Sequence, residues 1–268
     1  MRKTLLPLLA IALMTCLSSC LEYSATIVIN KDGSAQIEET SLVGGQLKAM
    51  VAQIQQGGGP ANMDPKGANA LKGLLPTQEK ADERAKSLGA GVTVKSREEI
   101  KSPDGREGVK VVYSVPDINK LNFKMLDSSS QEDQKPISFA ASGGKVTVTL
   151  PRPQKKAGAE APKMPDIPQE QLQAQMAMIK PMFAGMRMSF KIKAPGGIAS
   201  SDAAHVEGDT VTIMDLQMDK ILEKPDNFVK MMQTSQKPDM SAAQVAEMFK
   251  GVDGVAIEPK ESLSISLK

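Results

Sequence analysis

Ile27 and Ile29 fall at alternate positions in 21–30, the period of a strand with one buried face. Lys31-Asp32-Gly33-Ser34 follows. Asp-Gly marks a hairpin because glycine takes the positive φ that such a turn needs, so 35–43 is predicted as the return strand. After Gly44-Gly45 the period changes. Leu47, Met50, Val51 and Ile54 recur at helical spacing until Gly57-Gly58-Gly59-Pro60 stops them. Residues 61–76 read as loop. A charged helix over 77–88 is capped by Thr77 and ended by Gly89. Residues 91–96 and 108–115 are predicted strands around a Pro103-Asp104-Gly105 turn, and Asp117 is placed to cap a short helix carrying Leu121 and Met125. A second hairpin spans 137–150, turning at Ser142-Gly143-Gly144, with Val146, Val148 and Leu150 on one face.

The pattern is interrupted by 151–168, which holds five of the chain's 17 prolines and reads as a linker or exposed excursion. Helical spacing returns over 169–184 (Leu172, Met176, Ile179, Phe183), with Pro181 expected to kink or shorten the helix. The strand over 186–193 is the clearest in the chain: Met186, Met188, Phe190 and Ile192 face one way, Arg187, Ser189, Lys191 and Lys193 the other. Pro195-Gly196-Gly197 reverses the chain, and Glu207-Gly208-Asp209 leads into a strand at 211–213. Ser241 and Gln244 fit a capping box, with Met240 and Val245 as its hydrophobic staple and Gly251 as the stop. Leu263, Ile265 and Leu267 alternate with serines at the end. Hairpin pairs without a steady βαβ rhythm predict an α+β fold: an antiparallel sheet with helices packed on one face. Regions 20–150 and 169–268 are expected to share that sheet.

Residues 1–19 behave differently. Arg2 and Lys3 precede an apolar run from Leu5 to Met14. It is shorter than the ~20 residues a membrane-crossing helix needs, and suits a cleaved leader. Leu17-Ser18-Ser19-Cys20 resembles the lipobox of bacterial lipoproteins, in which the cysteine receives a diacylglyceryl group and the leader is cut before it. Cys16, after Met14-Thr15, fits less well. Leu21 follows the cysteine where an aspartate would retain the protein at the inner membrane, so the resemblance implies an outer-membrane address facing the periplasm. Each acyl methylene buried in the bilayer contributes about 0.8 kcal/mol.

Composition refines this picture. Cleavage takes Arg2 and Lys3 from 33 basic residues and leaves 31 against 31 acidic ones. The apparent net charge of +2 vanishes, and with it any electrostatic argument for nucleic acid. With Cys20 acylated no second thiol remains for an intrachain disulfide. One histidine and two cysteines exclude a multi-ligand Cys/His zinc site, and no cofactor is expected. No tryptophan, two tyrosines and six phenylalanines leave few stacking platforms.

Three stretches carry a family resemblance. They are 20–40 with its Lys-Asp-Gly-Ser turn, 91–126 with GVTV…DGREGVKVVYSVPDINKL, and 188–215 with SFKIKAPGGIASSDAAHVEGDTVTIMD. In this order they resemble the LppM-like domain of bacterial envelope lipoproteins and cover under half of the mature chain. The resemblance implies an α+β surface lipoprotein, in a family some of whose members are linked to lipid or glycolipid handling. It brings no shared catalytic set.

The remaining candidates compete with plainer readings. Met176, Met178, Met182, Met186 and Met188 crowd together, and thioethers are soft ligands for Cu(I). Their spacing favours flexible core filling, since Met186 and Met188 share a strand face with Phe190 and Ile192. A third possibility makes Met176, Ile179, Met182, Phe183, Met186, Met188, Phe190 and Ile192 the lining of an acyl-chain groove. His205 has Asp202 and Asp209 nearby in sequence but no motif of a hydrolase. Gly89-Ala90-Gly91 precedes a strand and lacks the third glycine of a dinucleotide site. Glu38-Glu39 and Glu98-Glu99 are adjacent, so on strands they point to opposite faces. Lys155-Lys156 could add about 2 kcal/mol of attraction to anionic lipid. The expectation is a lipid-anchored envelope protein that binds a membrane lipid or a partner protein, or serves as a scaffold. The alternatives are a hydrolase of envelope polymers using paired carboxylates and a methionine-rich copper module.

Overall fold

The computed structural model describes residues 21–56, 73–125, 135–151, 176, 180, 183–236 and 240–268. The leader with its lipobox, the linker at 152–168 with Lys155 and Lys156, and most of the helix predicted over 169–184 lie outside them. Of that helix Met176, Lys180 and Phe183 are described, each in helical conformation.

The first strand, β1 (Glu22–Ile29), buries every second residue, from Tyr23 through Ala25 and Ile27 to Ile29. It turns at Asp32-Gly33, where Gly33 has φ +86°. Asp32 Oδ1 accepts from the Ser34 N–H at 2.9 Å and its hydroxyl at 2.7 Å. The return strand is β2 (Ala35–Val43), paired in register from Ile29↔Ala35 to Glu22↔Leu42. Helix α1 (Gly45–Gln55) buries Val51 and Ile54. Helix α2 (Gln78–Leu88) starts at Thr77, whose side chain accepts from the Lys80 N–H, and it buries Ala81, Ala85 and Leu88. Strands β3 (Thr93–Lys101) and β4 (Glu107–Val115) extend the sheet beyond β2. The exposed edge, β3, carries charged residues and a bulge at Lys95, both of which oppose edge-to-edge association.

The short helix expected after Asp117 is one 3-10 turn, Ile118–Lys120. Leu121 lies past it, and Phe123 bridges to Ile137 in extended chain, because both side chains are drawn into the core. The hairpin β5 (Ser138–Ser142) and β6 (Lys145–Thr149) forms as predicted but leaves the main sheet. Strand β7 (Arg187–Lys193) pairs in parallel with β1, from Glu22↔Arg187 to Val28↔Lys193. Beyond it come β8 (Ile198–Ser201), β9 (Val206–Glu207), β10 (Thr210–Gln217), α3 (Met218–Ile221), α4 (Pro225–Gln236), α5 (Ala242–Met248), β11 (Val255–Ile257) and β12 (Ser262–Leu267).

The main sheet runs β11-β10-β7-β1-β2-β4-β3, with β9 pairing to β10, and the second sheet runs β5-β6-β12-β8. All pairings except β1–β7 are antiparallel, so the fold is α+β. Helix α2 covers part of the main sheet's apolar face. The second sheet covers more, adding Phe139, Val146, Val148, Leu263 and Ile265 to the same core. Phe123 stacks on Phe190 at 5.0 Å inside it. Each such side chain contributes roughly 1.5–3 kcal/mol by leaving water. A smaller core gathers Met176, Met218, Ile221, Leu222 and Phe228, with Phe183, Met186 and Met231 against it. No helix among the described residues is long and apolar enough to cross a membrane.

Candidate functional site

The predicted apolar stripe is divided between the two cores. Phe190 and Ile192 are each 1% exposed and belong to the main core. Met176, Phe183 and Met186 belong to the smaller one, and Met188 is half-buried. The bulge in β10 between Thr212 and Met214 accompanies this division of the β7–β10 pair. Ile179 and Met182 lie outside the described residues, as do Leu17, Ser18, Ser19 and Cys20. Of the clustered methionines, Met176 and Met186 thus sit with Ile221, Leu222 and Phe228 in apolar packing.

The adjacent carboxylates separate as strand geometry requires. Glu38 pairs with Lys110 at 2.8 Å on the outer face. Glu39 turns inward, where its Oε1 accepts from Arg84 Nη2 at 2.8 Å and from the Tyr23 hydroxyl at 3.2 Å. Arg84 also lies 5.7 Å over the Phe123 ring. This network bolts α2 to the sheet. Glu98 and Glu99 are exposed on the β3 edge, with Glu99 3.7 Å from Arg97. His205 donates Nε2–H to the Ile257 carbonyl at 3.2 Å. The two aspartates near it in sequence are bound elsewhere: Asp202 accepts from the Ser264 N–H and pairs with Lys260, while Asp209 pairs with Lys193. Among the described residues no three His, Cys, Asp or Glu side chains form a metal-holding group.

Two ends of the sheet differ in character. At the end where β1 begins, the Leu21 carbonyl accepts from the Arg187 N–H, and Arg187 grips Asp215 through Nε and Nη2 at 2.9 and 2.6 Å. Arg106 pairs with Glu22 and Asp104, and Glu107 with Lys48 and Lys101. Each of these charges has an opposite neighbour.

At the other end, turns from both sheets enclose a polar cleft of about 180 Å³. The β1–β2 turn supplies Asn30 to Gly33, the exit from β4 supplies Pro116, Asp117 and Asn119, and the β5–β6 turn supplies Ser142 to Lys145. Backbone bonds hold these pieces together: the Ile118 N–H reaches the Gly33 carbonyl at 2.9 Å, and the Leu267 N–H the Gly144 carbonyl at 2.7 Å. The Ala141 N–H donates to Asn119 Oδ1 at 2.7 Å. Gly143 and Gly144 have φ of +58° and +76°, a tight reversal open to glycine pairs. Hydrogen bonds from Ser34 hold the Asp32 carboxyl below its ordinary range, and hydrogen bonds from Asn119 do the same for Asp117. Both are therefore ionised near neutral pH. General acid catalysis needs a carboxyl shifted the other way, so neither aspartate is poised as a general acid. Each turn was legible as a turn; their convergence was not, since it depends on pairing between distant segments.

No protein-family model matches the chain, and no curated protein matches it. Among solved structures, the folded domain of the LppM protein of Mycobacterium tuberculosis, determined by NMR, matches over 92% of this chain and 90% of that one, at 12% identity and a TM-score of 0.33. The chain is similar to that domain in outline only.

Proposed function

We propose that this protein is a lipid-anchored component of the bacterial cell envelope that works by binding, with the cleft end of its sheet turned away from the membrane that holds it. The observation that carries this reading is the course of β1. The strand lies centrally in the main sheet, begins two residues after Cys20, and ends at the turn that forms one wall of the cleft. A lipid on Cys20 would leave almost no tether, so the paired rim of Glu22, Arg106 and Arg187 would stand at the bilayer. Eight strand residues at about 3.4 Å each would then set the cleft roughly 27 Å out. The balanced charges of the rim suit a surface that rests near headgroups without being drawn into them. The packing of Met176, Phe183, Met186, Phe190 and Ile192 in the two cores, and the low-shifted carboxyls of the cleft, favour a binding or display role over acyl-chain storage or hydrolysis.

Intact mass of the protein extracted from its native membrane tests the anchor. The leader is expected to be absent and Cys20 to carry acyl chains, and Cys20→Ala is expected to abolish that added mass. A free thiol at Cys20, or a retained leader, would overturn the reading.

A further inference from the structure

We propose that the cleft between the β1–β2 and β5–β6 turns binds a small oxyanion, a phosphate or carboxylate group carried by a soluble or polymer-borne molecule. The proposal deepens the reading of this end as the binding face and rests on it for the cleft's orientation, though not for its chemistry. Four charged side chains line the cleft. The two carboxylates are engaged locally: Asp32 Oδ1 takes both donors of Ser34, while Asp117 Oδ1 takes both donors of Asn119 and its Oδ2 lies 3.5 Å from Lys120. Lys31 and Lys145, by contrast, form no ion pair among the described residues. The backbone N–H groups of Gly143 and Gly144 meet no acceptor there either. Beside carboxylates held by their own turns, the lining thus leaves two lysines and two turn amides without acceptors, and such donors suit an oxyanion.

Position adds to this. A Cβ on Gly144 would stand 3.9 Å from Lys31 Cε, so the lysine stem lies close to the bare β5–β6 turn. The cleft is smaller than the roughly 300–1,000 Å³ of sites for drug-sized ligands, which confines the bound part to one small group.

Equilibrium dialysis of the full protein in an uncharged detergent, with labelled inorganic phosphate, acetate or the diester glycerophosphoglycerol, tests the assignment. Saturable binding of phosphate or acetate is expected, weakened about tenfold by Lys31→Gln and again by Lys145→Gln, the equivalent of one charge-assisted bond each. Asp32→Asn removes a repelling charge and is expected to tighten binding about threefold. Lys48→Gln, at the opposite rim, is expected to change nothing. Circular dichroism melts confirm that each variant is folded. Binding to the diester alone would assign the site to a lipid headgroup and overturn the proposed source. Absence of saturable binding to all three, or binding undiminished in the doubly substituted Lys31→Gln, Lys145→Gln protein, would overturn the site. Neither result depends on acylation of Cys20, so this failure is distinguishable from failure of the anchor.

Discussion

Tyr23 and Tyr113 are the chain's two tyrosines, and both rings are buried against the main core. Burial raises the pKa of each phenol above the usual value near 10, and the adjacent Glu39 carboxylate raises it further. The unfolded chain therefore loses phenolic protons at a lower pH than the folded one. Stability is full below the ordinary tyrosine range and falls as pH climbs above it. In an alkaline titration, tyrosinate absorbance is expected to stay flat through that range and then rise for both residues together as the protein unfolds. Ordinary titration of either one in the folded protein would contradict the burial. Little of this network could be read in advance. Asp32-Gly33 announces its own turn, because the turn residue and its partner Ser34 are neighbours. Glu39 and Arg84 stand 45 positions apart, each only 12% exposed, and nothing in either segment names the other.

Elements with local determinants formed where the pattern put them. The first hairpin, the Thr77 cap and the Ser241–Gln244 capping box, with both of its hydrogen bonds, all depend on residues within a few positions. Strands β8, β9 and β11 and helices α3 and α4 were not anticipated. β9 and β11 are two and three residues long, too short for a period to show. β8 (IASS) has a single apolar residue larger than alanine. One tie within this part is a buried carboxylate: Glu258, 1% exposed, accepts from the Ala204 N–H at 2.7 Å and the Lys260 N–H at 3.1 Å. It clasps the loop after β8 to the link between β11 and β12. Glu258→Gln retains one acceptor and is expected to cost about 1 kcal/mol, whereas Glu258→Ala strands both amides and is expected to cost about 3 kcal/mol. Urea unfolding reads the loss, with faster hydrogen exchange at Ala204 and Lys260. An alanine variant as stable as the parent would show that the clasp contributes nothing.

At the scale of the whole molecule the decisive pairing is β7 beside β1, seven parallel pairs between segments more than 160 residues apart. It places β1 in the interior of the sheet and gives the molecule two distinct ends. For the protein held in vesicles through Cys20 as proposed, spin labels at Lys101→Cys and Thr93→Cys, the two ends of β3, are expected to differ. A relaxing agent fixed to lipid headgroups should broaden the Lys101 label strongly and leave the Thr93 label unaffected. Equal broadening would mean that the sheet lies flat on the bilayer. By itself the sequence determined the local pieces: the hairpins, the caps and the α+β class, because each is set by neighbours a few bonds away. Tertiary structure alone decided which hairpin joined which sheet, that Met186 and Phe190 of one strand entered different cores, and that separate turns met around one cleft. Those outcomes depend on burial shared between distant segments, and hydrophobic burial, being non-directional, carries no address in the local pattern.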